Sequence, residues 1–311
     1  MKLAMVFPGQ GSQAVGMLKG YAGLPGVDAV RAEAQAALGA DFLTLLDEGP
    51  AEQLNLTVNT QPAMVTAAIA AYRAWLDAGG PRPAVVAGHS LGEYSALVAA
   101  GALRFADALP LVRFRAQSMQ EAVPEGQGAM AAILGLDDDA ARAACAEAAQ
   151  GEVVQAVNFN APGQVVIAGH KAAVARAVEA CKAKGAKRAM PLPVSAPFHS
   201  SLMRPAGEKL RAYLEKVPLQ APEVPLINNV DVRIESEPAR IKDALVRQAA
   251  APVRWVETVR SMAEQGVTHV VECGPGKVLA GLAKRIDARV TGIAAADRAS
   301  LEAALAAVKG G

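Results

Sequence analysis

One short segment constrains the fold of this 311-residue chain more than any other. The apolar run 84–87 passes directly into Gly88-His89-Ser90-Leu91-Gly92, and residues 93–100 then read as helix. A buried strand that turns into a helix with no spacer needs a very tight reversal, and this order of elements describes an α/β unit. The reversal also fits the G-x-S-x-G nucleophile elbow, in which a strained turn lifts a serine hydroxyl clear of the backbone. The free N–H groups of the following helix favour negative charge beside that hydroxyl. Taken alone the pattern is a weak signal, but its placement between an apolar run and a helix favours a functional serine over a structural turn.

The rest of the chain frames the elbow. Residues 3–7 form an apolar run stopped by Pro8-Gly9-Gln10-Gly11, which reads as a buried strand and tight loop. Residues 61–77 have helical spacing. Between 127 and 194 the rhythm changes: strand 129–134, helix 137–149, strands 153–159 and 164–168 across the turn Asn160-Ala161-Pro162-Gly163, helix 171–184, strand 189–194. The order β-α-β-β-α-β is that of a ferredoxin-like module. It reads as an insert, because α/β alternation resumes with strands at 225–228 and 268–272 and helices at 202–215, 241–248 and 278–286. The expected division is a main unit of residues 1–126 and 195–311 and a small subdomain of residues 127–194.

Composition removes several function classes. With 31 basic and 30 acidic residues, a formal net charge of +1 gives no electrostatic case for nucleic acid or an anionic membrane as partner. Cys145, Cys181 and Cys273 share no CxxC or metal-ligand spacing, so neither a disulfide framework nor a metal site is expected. The N-terminal apolar run is too short for a signal peptide, and no segment approaches the ~20 apolar residues of a membrane span. A soluble protein of the reducing cytoplasm is the expectation.

A serine at its free pKa needs a base within hydrogen-bond reach, and the chain holds four histidines. His89 adjoins the serine on a turn where neighbouring side chains diverge, which favours a structural role. His199 lies in Ser195-Ala196-Pro197-Phe198-His199, where the chain leaves the insert and can face the elbow. His170, in a turn of the insert, and His269, at the start of a strand, remain open as alternatives. The loop Phe7-Pro8-Gly9-Gln10-Gly11-Ser12-Gln13 is either a plain turn or the source of a second backbone N–H for an oxyanion hole; no G-K-[ST] follows it, which weakens a phosphate-loop reading. Arg113 and Arg115 sit in a mainly apolar helix. Such arginines usually snorkel to solvent, but one turned inward could clamp a carboxylate bidentately. The basic run Lys182, Lys184, Lys187, Arg188 fits a solvated helix end or a surface for an acidic carrier protein.

At these residues the chain resembles the bacterial malonyl-CoA:acyl carrier protein transacylases of type II fatty acid synthesis, nearly end to end. The resemblance rests on the Phe7–Gln13 loop, Thr60-Gln61-Pro62, Gly88-His89-Ser90-Leu91-Gly92-Glu93, residues 119–125, Asn158-Phe159-Asn160, residues 162–169, Asn228-Asn229-Val230 and Gly274-Pro275-Gly276-Lys277. It implies an α/β-hydrolase-like large subdomain carrying the ferredoxin-like one. It implies Ser90 as nucleophile, His199 as base, the backbone N–H groups of Gln10 and Leu91 as oxyanion hole, and Arg115 as holder of the malonyl carboxylate. Gln248 corresponds to the residue whose backbone carbonyl orients the histidine, a role for which no Asp or Glu stands out. Phe198 beside the histidine looks malonyl-like by analogy with polyketide acyltransferase domains. Malonyl-CoA and acyl carrier protein are the implied partners, with no metal or redox cofactor. A transacylase serving polyketide synthesis or malonate decarboxylation, and a thioesterase-type serine hydrolase, are the alternatives; a non-catalytic carrier-protein or coenzyme A binding module is a more distant one.

Overall fold

The computed structural model describes residues 1–194 and 196–310; the expected re-entry boundary at Ser195 and the terminal Gly311 lie outside the described residues. The chain runs β1 (Leu3–Phe7), α1 (Pro25–Leu38), α2 (Ala40–Glu48), α3 (Ala51–Leu54), α4 (Thr57–Asp77), β2 (Val85–Gly88), α5 (Gly92–Ala99) and α6 (Phe105–Glu121). There follow β3 (Gly128–Leu134), α7 (Asp138–Ala149), β4 (Val154–Ala161), β5 (Gln164–His170), α8 (Lys171–Ala183) and β6 (Arg188–Pro191). The remainder is α9 (Arg204–Leu214), β7 (Leu226–Ile227), α10 (Pro238–Gln248), α11 (Trp255–Glu264), β8 (His269–Cys273), α12 (Val278–Ile286), β9 (Thr291–Ala295) and α13 (Arg298–Lys309).

Two sheets organise these elements. The first is parallel, in the order β7-β2-β1-β8-β9. Its central strands β1 and β2 are buried throughout, as expected of parallel strands covered on both faces. On one face α4 packs against α1, α5 and α6. It is Ala-rich and buried on nearly every side, so it is a central helix rather than an amphipathic surface one. The second sheet is antiparallel, in the order β4-β5-β3-β6, with α7 and α8 against it. Val253 ties the two together: its carbonyl accepts from Phe159 N at 3.0 Å, and its N–H donates to Val157 O at 2.8 Å.

Element boundaries shift where local chemistry competes. β4 runs on to Ala161, narrowing its turn to Pro162-Gly163, because Gly163 takes the left-handed φ of 72°. α4 starts at Thr57, four residues before the expected helix, so Pro62 falls inside it. β6 stops at Pro191 rather than running to 194. All three cysteines are unbonded and buried, Cys145 and Cys181 under the antiparallel sheet and Cys273 in the core beside β1. Among the described residues, no helix is long and apolar enough to cross a membrane.

Candidate active site

The parallel pairing of β1 with β2 ends with Phe7 opposite Gly88, and His89 N donates to Phe7 O at 2.9 Å. The glycine loop after β1 and the elbow after β2 therefore leave the sheet side by side. Both elbow glycines are obligatory. A Cβ on Gly88 would lie 1.8 Å from the Gly92 backbone, and one on Gly92 would lie 2.0 Å from Phe7 O. Ser90 at the apex has φ 52°, a left-handed conformation costing on the order of 1–2 kcal/mol for a non-glycine residue. Asn229, just beyond β7, holds that geometry: its Oδ1 accepts from Ser90 N at 2.7 Å and its Nδ2 donates to Gly88 O at 2.6 Å.

His199 meets this serine. Its Nε2 lies 2.6 Å from Ser90 Oγ, and its Nδ1 lies 2.9 Å from the Gln248 carbonyl at the end of α10. A carbonyl can only accept, so Nδ1 carries the proton and Nε2 is left to accept from the hydroxyl. Burial first, and the nearby Arg115 charge second, push the imidazole pKa down to about 3, so the ring is neutral at physiological pH. The third position is thus filled by a main-chain carbonyl, consistent with the lack of a candidate Asp or Glu in the sequence.

Arg115, on α6, turns inward and is only 2% exposed. Nη1 donates to Gln61 Oε1 at 3.0 Å, and Nη2 donates to Gln248 Oε1 at 3.0 Å and approaches Ser90 Oγ at 3.4 Å. The guanidinium also sits over the Tyr94 ring, 5.4 Å from its centroid. Arg113, two residues earlier, lies partly exposed over Phe42. Gln10 lines the same cavity, its Oε1 accepting from Gln61 Nε2 at 3.0 Å. Leu91 follows the serine at the N-cap of α5, where backbone N–H groups lack intrahelical acceptors.

The other histidines do not reach the serine hydroxyl. His89 borders the same cavity, half-buried and edge-on to Trp255, with Nε2 2.7 Å from Asn160 Oδ1 on β4. His170 ends β5 and accepts from Val153 N at 3.0 Å. His269 begins β8, at the end of the parallel sheet opposite to Ser90, and contacts Thr268 Oγ1. In the basic run, Lys182 and Lys184 pair with Glu179 and Glu147.

These groups surround a cavity of about 130 Å³. One wall is polar: Gln10, Gln61, Ser90, Arg115 and His199. The other is largely apolar, with Met130 and Val166 from the antiparallel sheet, Leu192 and Val194 from the chain after β6, and Met119 and Phe198. Five polar residues escaped assignment from sequence: Gln61, Glu93, Asn158, Asn160 and Asn229. All five stand inside the motifs that carry the family resemblance, which was the one signal available for them. Among the described residues, no cluster of three or more His, Cys, Asp or Glu could hold a metal.

Comparison with known proteins decides the family. The acyl transferase domain family matches residues 4–297. The malonyl CoA-acyl carrier protein transacylase of Escherichia coli strain K12 is 59% identical over 305 residues, covering 98% of this chain and 99% of that protein. This chain belongs to the malonyl CoA-acyl carrier protein transacylase family. The family member of Bacillus subtilis strain 168 is 46% identical, with 99% of this chain and 98% of that protein covered. Among solved structures, the acyl-carrier-protein S-malonyltransferase of Burkholderia pseudomallei 1710b superposes with a TM-score of 0.96 at 65% identity, over 98% and 99% of the two chains. A malonyl-transacylase solved in complex with its type II PKS acyl-carrier protein superposes with a TM-score of 0.96 at 54% identity, over 98% of this chain and 99% of that one.

Proposed function

We propose that this chain moves the malonyl group of malonyl-CoA to the phosphopantetheine thiol of acyl carrier protein, supplying fatty acid synthesis in the cytoplasm. The observation that carries this reading is the buried Arg115 guanidinium 3.4 Å from the Ser90 hydroxyl inside one small cavity. An acyl group that reaches Ser90 and bears a terminal carboxylate finds a bidentate partner there. An acetyl group leaves the guanidinium without it, at a cost on the order of 1–3 kcal/mol.

The reaction follows in two mirrored halves. Ser90 Oγ forms a bond to the thioester carbonyl carbon as its proton passes to His199 Nε2. The tetrahedral oxyanion is held by the backbone N–H groups of Gln10 and Leu91. Collapse breaks the C–S bond, and the departing coenzyme A sulfur takes the proton from His199. The carrier-protein thiol then gives its proton to His199, attacks malonyl-Ser90, and leaves the serine restored. The Gln248 carbonyl keeps the ring in the required tautomer throughout. The coenzyme A thioester is the substrate, and no step calls for a cofactor.

The architecture suits this division. We read residues 1–126 and 195–311 as an α/β-hydrolase-like subdomain carrying the chemistry, and residues 127–194 as an inserted ferredoxin-like subdomain forming the far wall. The antiparallel order β4-β5-β3-β6 supports the second assignment.

The test is intact mass after incubation with malonyl-CoA alone. A stable malonyl adduct is expected, absent in Ser90→Ala; its absence in the wild type overturns the reading. Release of free malonate at the rate of coenzyme A release, with no transfer to carrier protein, would mark a hydrolase instead. Service to polyketide synthesis is a second reading, favoured by the 54% identity to the transacylase solved with a PKS carrier protein. Competition between fatty acid and polyketide carrier proteins for malonyl-enzyme separates the two.

A further inference from the structure

One buried acid beside the site has no part in the steps above. Glu93, in the first turn of α5, is 1% exposed. Its Oε2 accepts from Asn229 N at 3.0 Å and from Gln248 Nε2 at 2.9 Å. Both residues also hold the elbow, Asn229 through its side-chain amide. Asn229 fixes Gly88 O and Ser90 N, and Gln248 Nε2 also donates to Ser90 O at 2.9 Å. The far end of the Gln248 amide, Oε1, accepts from Arg115 Nη2 at 3.0 Å, while its main-chain carbonyl faces His199.

A carboxamide between a carboxylate and a guanidinium has one favourable orientation, NH₂ toward the anion and oxygen toward the cation. We infer that Glu93 is a positioning residue that acts through the Gln248 side chain, fixing the direction of that amide and setting how much of the Arg115 charge reaches the substrate carboxylate and His199. This rests on the reading of Arg115 as the malonyl clamp.

The charge bookkeeping gives the inference an unusual signature. Glu93 faces Arg115 from α5, with the neighbouring Tyr94 hydroxyl kept neutral by burial; Asp231, in the segment after β7, is a further carboxylate whose field reaches Glu93, and His89 and His199 are ionisable groups across the elbow. With Glu93 ionised, the positive potential of Arg115 is partly offset. Removing the negative charge strengthens Arg115 as a carboxylate binder, and the same uncompensated cation makes His199 a weaker base. Binding and chemistry should therefore move in opposite directions, which a loss of structural support would not produce.

The experiment is steady-state transfer by the full chain with malonyl-CoA and, separately, acetyl-CoA, comparing wild type with Glu93→Gln. The variant is expected to lower kcat about tenfold with both substrates and to lower KM about threefold for malonyl-CoA only. A raised malonyl-CoA KM, or an unchanged kcat and KM, overturns the inference. If Glu93→Gln fails to fold, the wild type supplies the second reading. Burial raises the Glu93 pKa to about 7, so lowering pH from 8 to 6 protonates it. The malonyl-CoA KM should then fall relative to that for acetyl-CoA; a ratio that is flat or rises overturns the inference equally. Wild-type malonyl transfer at pH 8 is the control: its absence would indict the proposed function rather than Glu93.

Discussion

The two sheets meet at one cavity and furnish it with different materials. The parallel sheet and its helices present a hydrogen-bonded polar network in which Ser90, Arg115, Gln248, Asn229 and Glu93 are each held by at least one partner. The antiparallel sheet contributes mainly methionine and valine side chains, whose packing is non-directional, with Asn158 of β4 beside them. Groups that form and break bonds need positions fixed to fractions of an ångström, which directional bonds on a rigid frame provide. A wall that only excludes water needs shape and apolarity. Variants on the two sides should therefore fail in different ways.

The largest effect should come from Ser90→Ala, which removes the bond-forming atom while leaving the network packed. Malonyl transfer should fall by about 10⁴-fold or more, with the melting temperature nearly unchanged. A comparable loss from any single truncation on the antiparallel side would break the comparison. Arg115→Ala comes next: the preference for malonyl-CoA over acetyl-CoA should narrow by about 10–100-fold. Measured ratios of kcat/KM for the two thioesters check it, and an unchanged ratio removes the clamp.

Glu272 sharpens the comparison from within the parallel sheet. Like Glu93 it is a fully buried carboxylate whose pKa burial raises to about 7, but its Oε2 accepts from Ala280 N at the start of α12, away from the cavity. A raised folded-state pKa gives stability that is full below the ordinary Glu range and is lost as pH rises toward 7. Wild type should therefore lose on the order of 1–3 kcal/mol of stability across that window. Glu272→Gln should flatten this slope in denaturant titrations and leave the malonyl-CoA KM unmoved, unlike Glu93→Gln. The smallest effect is expected from Asn160→Ala, which removes the His89 link between the sheets: KM should rise about 2–5-fold with kcat little changed.

The elbow, both main strands beside it and the β-α-β-β-α-β run between residues 128 and 191 were readable, because buried strands and glycine turns leave strong local patterns. β9 was not: in Thr291-Gly292-Ile293-Ala294-Ala295 the two β-branched residues are diluted by glycine and alanine with no aromatic among them, and the strand is held by pairing with β8. The early helices went unread as well, although α1 turns Val27, Val30 and Ala34 inward at helical spacing. Spacing alone left Ser90 weakly marked until its place between strand and helix was added, and His199 stood among three candidate histidines, favoured by its place at a junction; the structure brings the two within 2.6 Å. The Gln248 carbonyl was not legible, because every residue has one; only the fold decides which carbonyl faces a histidine. Glu93 was equally hidden, as an acid in the first turn of a helix ordinarily reads as a favourable charge at the dipole.

The burial of Cys145, Cys181 and Cys273 has a consequence for selectivity among nucleophiles. The proposed reaction carries an acyl group from one thiol to another, both mobile and both intrinsically more nucleophilic than an alcohol. A surface thiolate on the enzyme would intercept the thioester or form a mixed disulfide with either carrier. Burial pushes the Cys145 thiol up to about 12 and raises Cys181 and Cys273 as well, so all three stay protonated and shielded. The acyl group is left with a single resident acceptor, an oxygen, and the protein should tolerate alkylating reagents that would silence a cysteine-dependent transferase.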